Sequence, residues 1–194
     1  MLISSRGRNR LTQGTWGQSL VRIPILWAVL FSIGNAPAAE QSVNPGINKS
    51  FLAPDLKVGA FVERFEREGR EVYDHREAIV AKAALGKGKT VADIGAGTGL
   101  FTPYLSAAVG PKGTVIAVDI VPKFLSHIEN RARELKLKNI STVLCTAKSS
   151  RLKPGSVDLV FICDTYHHFE YPQSTLQSIH KALRPGGEIY LIEF

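Results

Sequence analysis

The segment Val91-Ala-Asp-Ile-Gly-Ala-Gly-Thr-Gly-Leu-Phe-Thr102, followed by Val115-Ile-Ala-Val-Asp119, narrows what this chain can fold into more than any other. It reads as a buried strand, a glycine turn, a helix, and a second strand ending in a carboxylate. Val91, Ala92 and Ile94 form the apolar run of a strand covered on both faces. Gly95, Gly97 and Gly99 allow a tight turn that brings main chain close to a ligand. Thr98 is placed to cap a helix starting near Leu100, whose free N–H groups face the same crevice. Asp119 falls 20 residues after Gly99, at the end of the second strand, where a carboxylate accepts both hydroxyls of a ribose. The pattern predicts a site for an adenosine-containing ligand.

A dinucleotide site prefers its third glycine at position 100, which here is Leu100. The glycines run Gly-x-Gly-x-Gly instead, with Asp93 two residues ahead of the first. Asp-Ile-Gly-Ala-Gly-Thr-Gly resembles motif I of class I methyltransferases that use S-adenosylmethionine (SAM). The resemblance continues through Asp119, Ser156-Val-Asp-Leu-Val-Phe-Ile-Cys-Asp164 and Leu183-Arg-Pro-Gly-Gly-Glu-Ile-Tyr-Leu-Ile-Glu193, and covers residues 57–194. It implies an α/β, Rossmann-like, doubly wound and mostly parallel sheet of order 3-2-1-4-5, with N-terminal helices over the pocket. It also implies SAM as cofactor, held by Asp93, Gly95, Gly97, Gly99, Asp119 and Asp164, with Ile120 stacking on the adenine.

Asp164-Thr-Tyr-His-His-Phe169 follows the fourth strand and, by the resemblance, borders the methyl group and the substrate. His167 and His168 are the candidate bases there, because imidazole titrates near neutrality. The alternative for the pair is one histidine bonded to main chain and the other solvated. Enzymes that methylate base amines or glutamine amides carry Asn/Asp-Pro-Pro-Tyr/Phe at this place. The present segment lacks the proline pair and looks more like the small-molecule enzymes of the quinone-biosynthesis type. A small-molecule acceptor is therefore expected, and no metal.

Two features depart from the family pattern. No carboxylate occurs between Ile140 and Val157, where many members carry an acid for the adenine amino group. The family's sheet has seven strands, whereas this chain stops at Phe194, directly after the fifth. A fragment, or a sheet completed by a partner, is the expectation. The apolar edge Ile189–Ile192 then invites a homodimer. Three functional readings follow: methyl transfer to a small molecule, SAM or nucleotide binding without turnover, and an oxidoreductase on a related sheet.

Charge gives no case for nucleic acid. The formal +7 includes Arg6, Arg8, Arg10 and Arg22, and no acid precedes residue 40. Residues 40–194 hold 20 basic and 17 acidic side chains, with no basic run interleaved with aromatics. The early arginines lead instead into Ile23–Ile33, eleven mostly apolar residues, and then Ala36-Pro-Ala38, a small-residue cleavage site. This predicts a signal peptide over residues 1–39 and an exported, extracytoplasmic protein, with no stable membrane span after cleavage. An uncleaved anchor or a cytoplasmic leader is the alternative, and export conflicts with a cofactor made in the cytosol.

Residues 40–56 read as a linker. Helices are expected over Val58–Glu68 and Glu71–Leu85, with Phe61 and Phe65 as core contacts and Tyr73, Asp74 and Arg76 as polar groups on the second helix. Cys145 and Cys163 end strands that the sheet order keeps apart, so no disulfide is expected between them.

Overall fold

The computed structural model describes residues 21–22 and 39–193. Nearly all of the predicted signal peptide lies outside these residues. Among the described residues no helix is long and apolar enough to cross a membrane.

In chain order the elements are β1 (Val21–Arg22), α1 (Val58–Phe65), α2 (Glu71–Asp74), α3 (Arg76–Lys82), β2 (Thr90–Ile94), α4 (Thr102–Val109) and β3 (Thr114–Asp119). There follow α5 (Pro122–Glu134), β4 (Ile140–Leu144), β5 (Val157–Cys163), a 3₁₀ turn at Tyr166–His168, α6 (Pro172–Ala182) and β6 (Leu183–Ile192). The sheet runs β1-β6-β5-β2-β3-β4. Its five strands β4, β3, β2, β5 and β6 are parallel, which is the 3-2-1-4-5 order the motifs imply.

Period-two alternation divides the strand residues between two cores. Val91, Val115, Phe161, Cys163 and Tyr190 face one layer with α3 and α4, where Leu105 and Val109 are fully buried. Ala92, Ile94, Val118, Val160 and Ile162 face the opposite layer with Ile179 and Ala182 of α6. Phe161 is fully buried, with Phe101 edge-on at 5.0 Å and Tyr190 stacked at 6.0 Å. Truncating it to alanine would cost about 3–5 kcal/mol. Leu183 pairs with Val157, the Arg184–Gly187 bend then loops out, and regular pairing resumes at Glu188 opposite Leu159.

Several expectations are corrected. The helix expected over 71–85 breaks at His75, because the Arg76 guanidinium takes the Tyr73 carbonyl at 2.5 Å. Helix α1 stops at Phe65 rather than Glu68, where the Phe65 carbonyl accepts from Arg70 Nη1 at 3.1 Å. Thr98 does not cap α4; its hydroxyl donates to Glu66 Oε1 at 2.8 Å, and α4 starts later with Pro103 in its first turn. The supposed linker is tied to the domain: Glu40 accepts from the main-chain N–H groups of Gln173 and Ser174 at 2.8 Å each, and Val43 N–H donates to Glu170. Val21 and Arg22 of β1, which fall within the predicted signal peptide, pair antiparallel with Leu191 and Tyr190 of β6. As expected, the cysteines are unbridged: Cys145 directly follows β4 and Cys163 ends β5, with β3 and β2 between those strands.

Candidate functional site

The carboxyl ends of β2, β3, β4 and β5 open into one cavity of about 580 Å³. That is the size class of small-molecule pockets, at the place where an open α/β sheet reverses its strand order. Its floor is Asp93 to Thr98, Asp119 to Val121, Cys145 to Ala147 and Cys163 to Thr165. Its roof comes from α1 and the 47–51 stretch: Phe51 lies 5.3 Å from Phe61, 6.4 Å from Phe65 and 6.5 Å from Phe124. Phe65 thus lines the cavity instead of serving only as a core contact.

Asp119 organises the floor. Gly97 N–H donates to its Oδ2 and Val121 N–H to its Oδ1, both at 2.8 Å. Each oxygen keeps lone-pair capacity for a further donor. Burial pushes its carboxyl up to about 6, against the pull of those two bonds and one from Ile120. Asp93 sits deeper, with Oδ2 buried and without a partner. Burial, with Asp119 adding, raises its carboxyl to about 7. An unpartnered buried oxygen costs folding free energy unless something cationic or protic meets it, which leaves Asp93 Oδ2 an open acceptor at the cavity floor.

The glycines differ in what they leave room for. A Cβ on Gly95 would meet Thr165 Cγ2 at 2.1 Å, and one on Gly99 would meet Ile128 at 2.7 Å. A Cβ on Gly97 would find nothing closer than 3.9 Å, and Gly97 has φ +56°. Gly95 and Gly99 are therefore packing glycines, whereas Gly97 keeps space open in the cavity.

At the far wall, Asp164 accepts from Arg70 Nη2 at 2.5 Å. His168 turns inward: its ring stands edge-on to Phe51 at 5.1 Å, its Nδ1 is buried without a partner, and burial followed by His167 lowers its pKa. Asn48 reaches under it to donate to the His168 carbonyl at 3.0 Å. His167 stays half-exposed, with Nδ1 2.6 Å from Glu193 Oε2. Of the predicted site residues, all but one line the cavity: Asp93, Gly95, Gly97, Asp119, Ile120, Asp164, His167 and His168 do, and Gly99 packs behind on Ile128.

Sequence reasoning missed Asn48, Phe51, Arg64, Arg67, Arg70 and Glu193. Asn48 and Phe51 sit in the stretch read as linker, Arg64 and Arg67 on an ordinary helix and Arg70 in the break between the two expected helices, while Glu193 is brought in by the parallel run of β6 beside β5. Tyr73, Asp74 and Arg76 bond elsewhere: Arg76 lies over the Tyr73 ring at 4.1 Å and donates to Tyr104, and Asp74 accepts from Gly69 N–H.

This geometry has known counterparts. The methyltransferase-domain family model matches residues 92–191, half of the chain. The chain belongs to that family. It is 32% identical over 109 residues to the ubiquinone/menaquinone biosynthesis C-methyltransferase of Pasteurella multocida, covering 56% of this chain and 41% of that protein. It is also 32% identical over 106 residues to the demethylmenaquinone methyltransferase of Lactococcus lactis, covering 55% and 42%. The chain thus spans less than half the length of these curated relatives. A SAM-dependent methyltransferase from Aquifex aeolicus superposes with a TM-score of 0.65 at 26% identity, covering 72% of this chain and 73% of that one. The [4+2]-cyclase SpnF shares the fold at a TM-score of 0.55 and 22% identity, covering 66% and 49%. The fold alone therefore does not dictate the reaction.

Proposed function

We propose that the cavity binds SAM and that the chain transfers its methyl group to a small, ring-bearing acceptor. The observation that carries this reading is the pairing of two buried carboxylates of different character at the strand ends: Asp119, clamped by Gly97 and Val121, and Asp93, with a free oxygen. Asp119 suits the ribose hydroxyls and Asp93 a cationic or protic group of the amino-acid moiety. Ile120 offers an apolar face for the adenine, beside Cys145 and Thr146. When bound, SAM would supply an electrophilic methyl: an electron pair of the acceptor forms the new bond and the carbon–sulfur electron pair stays on sulfur.

The protein's own task is alignment and exclusion of water. Phe51, Phe65 and Phe124 present an apolar wall suited to a planar ring, and Arg64 and Arg67 stand at the rim. The relatives that act in ubiquinone and menaquinone biosynthesis support a quinol-like acceptor. His167 and His168 remain the candidates for proton transfer.

The test is incubation of the full chain with methyl-tritiated SAM and a panel of small hydroxylated aromatics and quinols. Label transfer with stoichiometric S-adenosylhomocysteine (SAH) is the expected result. SAH binding without turnover on any acceptor would favour the non-catalytic module. The export reading stands as a companion proposal, checked by N-terminal sequencing of the protein from extracytoplasmic fractions of its source cells.

A further inference from the structure

We infer that Glu193 is a positioning residue that makes His167, and not His168, the proton acceptor of the site. The inference rests on the methyl-transfer reading and goes further, by fixing which ring nitrogen is bare.

The geometry gives the two histidines different roles. His168 is packed edge-on against Phe51, with its main-chain N–H on the Thr165 carbonyl and its carbonyl on Asn48. It is part of the wall. His167 lines the cavity, remains 49% exposed, and points Nδ1 at Glu193 Oε2 at 2.6 Å. A carboxylate only accepts hydrogen bonds, so Nδ1 carries the proton and Nε2 keeps a free lone pair. Glu193 is itself fixed: its Oε1 accepts from the main-chain N–H groups of Thr165 at 3.0 Å and Tyr166 at 2.6 Å. The carboxylate is thus held by the loop that bears the histidine.

An oxygen of Asp164 lies within 4.8 Å of the same two side chains, but that carboxylate is engaged by the Arg70 guanidinium. A fixed cation there disfavours a metal ion and leaves the His167–Glu193 pair as the working unit. As the acceptor bonds to the methyl carbon and the carbon–sulfur electron pair stays on sulfur, the proton the acceptor loses passes to Nε2 of His167. The imidazolium is stabilised by Glu193 and returns the proton to water through its exposed face. The order acceptor–histidine–carboxylate follows the general logic by which an acid orients a catalytic imidazole.

Replacing Glu193 by glutamine makes a sharp prediction. Thr165 and Tyr166 N–H still require an oxygen at Oε1. The glutamine NH₂ then faces Nδ1, which must become the acceptor, and the imidazole proton moves to Nε2. Nitrogen-15 NMR of the histidine-labelled full chain at about pH 8, where an ordinary imidazole is neutral, reads this directly. The expected wild-type spectrum shows His167 with Nδ1 protonated and Nε2 bare. Glu193→Gln inverts the tautomer, Glu193→Asp keeps it, and His168 is unaffected by either.

A second readout is carbethoxylation of His167 by diethyl pyrocarbonate, mapped by peptide mass spectrometry. Its rate should fall about tenfold in Glu193→Gln, because both ring nitrogens are then blocked. An Nε2–H tautomer in the wild type, or the same tautomer in wild type and Glu193→Gln, would overturn the assignment. A His167 spectrum that shifts with millimolar magnesium would overturn it in favour of a metal centre. SAH titration of the wild type separately tests the reading beneath: failure there leaves the tautomer result standing as a fact about the fold.

Discussion

The main-chain N–H of Gly97 donates to Asp119 Oδ2 at 2.8 Å, tying the turn after β2 to the end of β3. One carboxylate therefore shapes the glycine turn and lines the cavity, where the proposed function has it meet the ribose. Asp119→Ala should weaken SAH binding by about 1–3 kcal/mol, the usual cost of removing hydrogen bonds to a charged group. It should also lower the melting temperature of the unliganded protein, since Gly97 and Val121 N–H lose their partner. Titration calorimetry and a thermal melt on the same variant separate the two effects. Unchanged SAH affinity would reject the assignment.

The glycines predict opposite behaviours. Gly97→Ala puts a methyl into cavity space at a position of positive φ, so it should cost SAH affinity tenfold or more, with a stability loss of about 1 kcal/mol. Gly95→Ala drives its methyl into Thr165 Cγ2, so it should be limited by folding instead. Denaturant midpoints and SAH affinities, measured side by side, should rank the two variants in opposite orders.

Asp93 and Asp119 set a pH dependence. Both carboxyls are raised by burial, to about 7 and about 6, from an ordinary value of 3.8. Between those values the folded chain binds more protons than the unfolded chain, so stability falls as pH rises. The unliganded protein should therefore melt lower at about pH 7.5, just above that window, than at about pH 5, inside its lower part. Asp158, whose pKa is lowered chiefly by Thr90 N–H against its burial, acts only below the window. Ligand binding should run the other way, tightening as pH rises through 6 to 7 and releasing protons, because a cationic group favours the ionised acids. Asp93→Asn should flatten both trends. A flat profile for the wild type would show that these acids do not titrate as the burial demands.

The roof should govern exchange of the ligand. Asn48 donates to the His168 carbonyl at 3.0 Å and to Glu170 Oε1 at 3.4 Å. Asn48→Ala should cost about 1 kcal/mol of stability and accelerate SAH release. Stopped-flow dissociation of the complex measures it. A variant with unchanged release would show that the 47–51 stretch is not a closure over the cavity.

The floor of this site was legible in the sequence because it is local. Asp93, Gly95, Gly97 and Asp119 lie at strand ends whose apolar runs announce them, the alternation of elements indicates a doubly wound sheet, and its strand order is what the family resemblance implies. The roof was not legible. Asn48 and Phe51 sit in an Asn/Pro/Ser/Gly-rich stretch, and nothing local records that Phe51 will meet Phe61, Phe124 and His168. Glu193 closes the fifth-strand motif, yet its meeting with His167 across 26 residues depends on the β5–β6 register. The break at His75 had a local cause, but one carried by a side chain: Arg76 on the Tyr73 carbonyl, within a pattern periodic enough to read as one helix.

The most direct measurement is calorimetric titration of SAH into the full chain, with NAD as control. Binding in the micromolar range with none for NAD, lost in Asp119→Ala, is the predicted result. No SAH binding by a chain whose melt shows it folded, or equal binding of NAD, would contradict the assignment of this cavity to SAM.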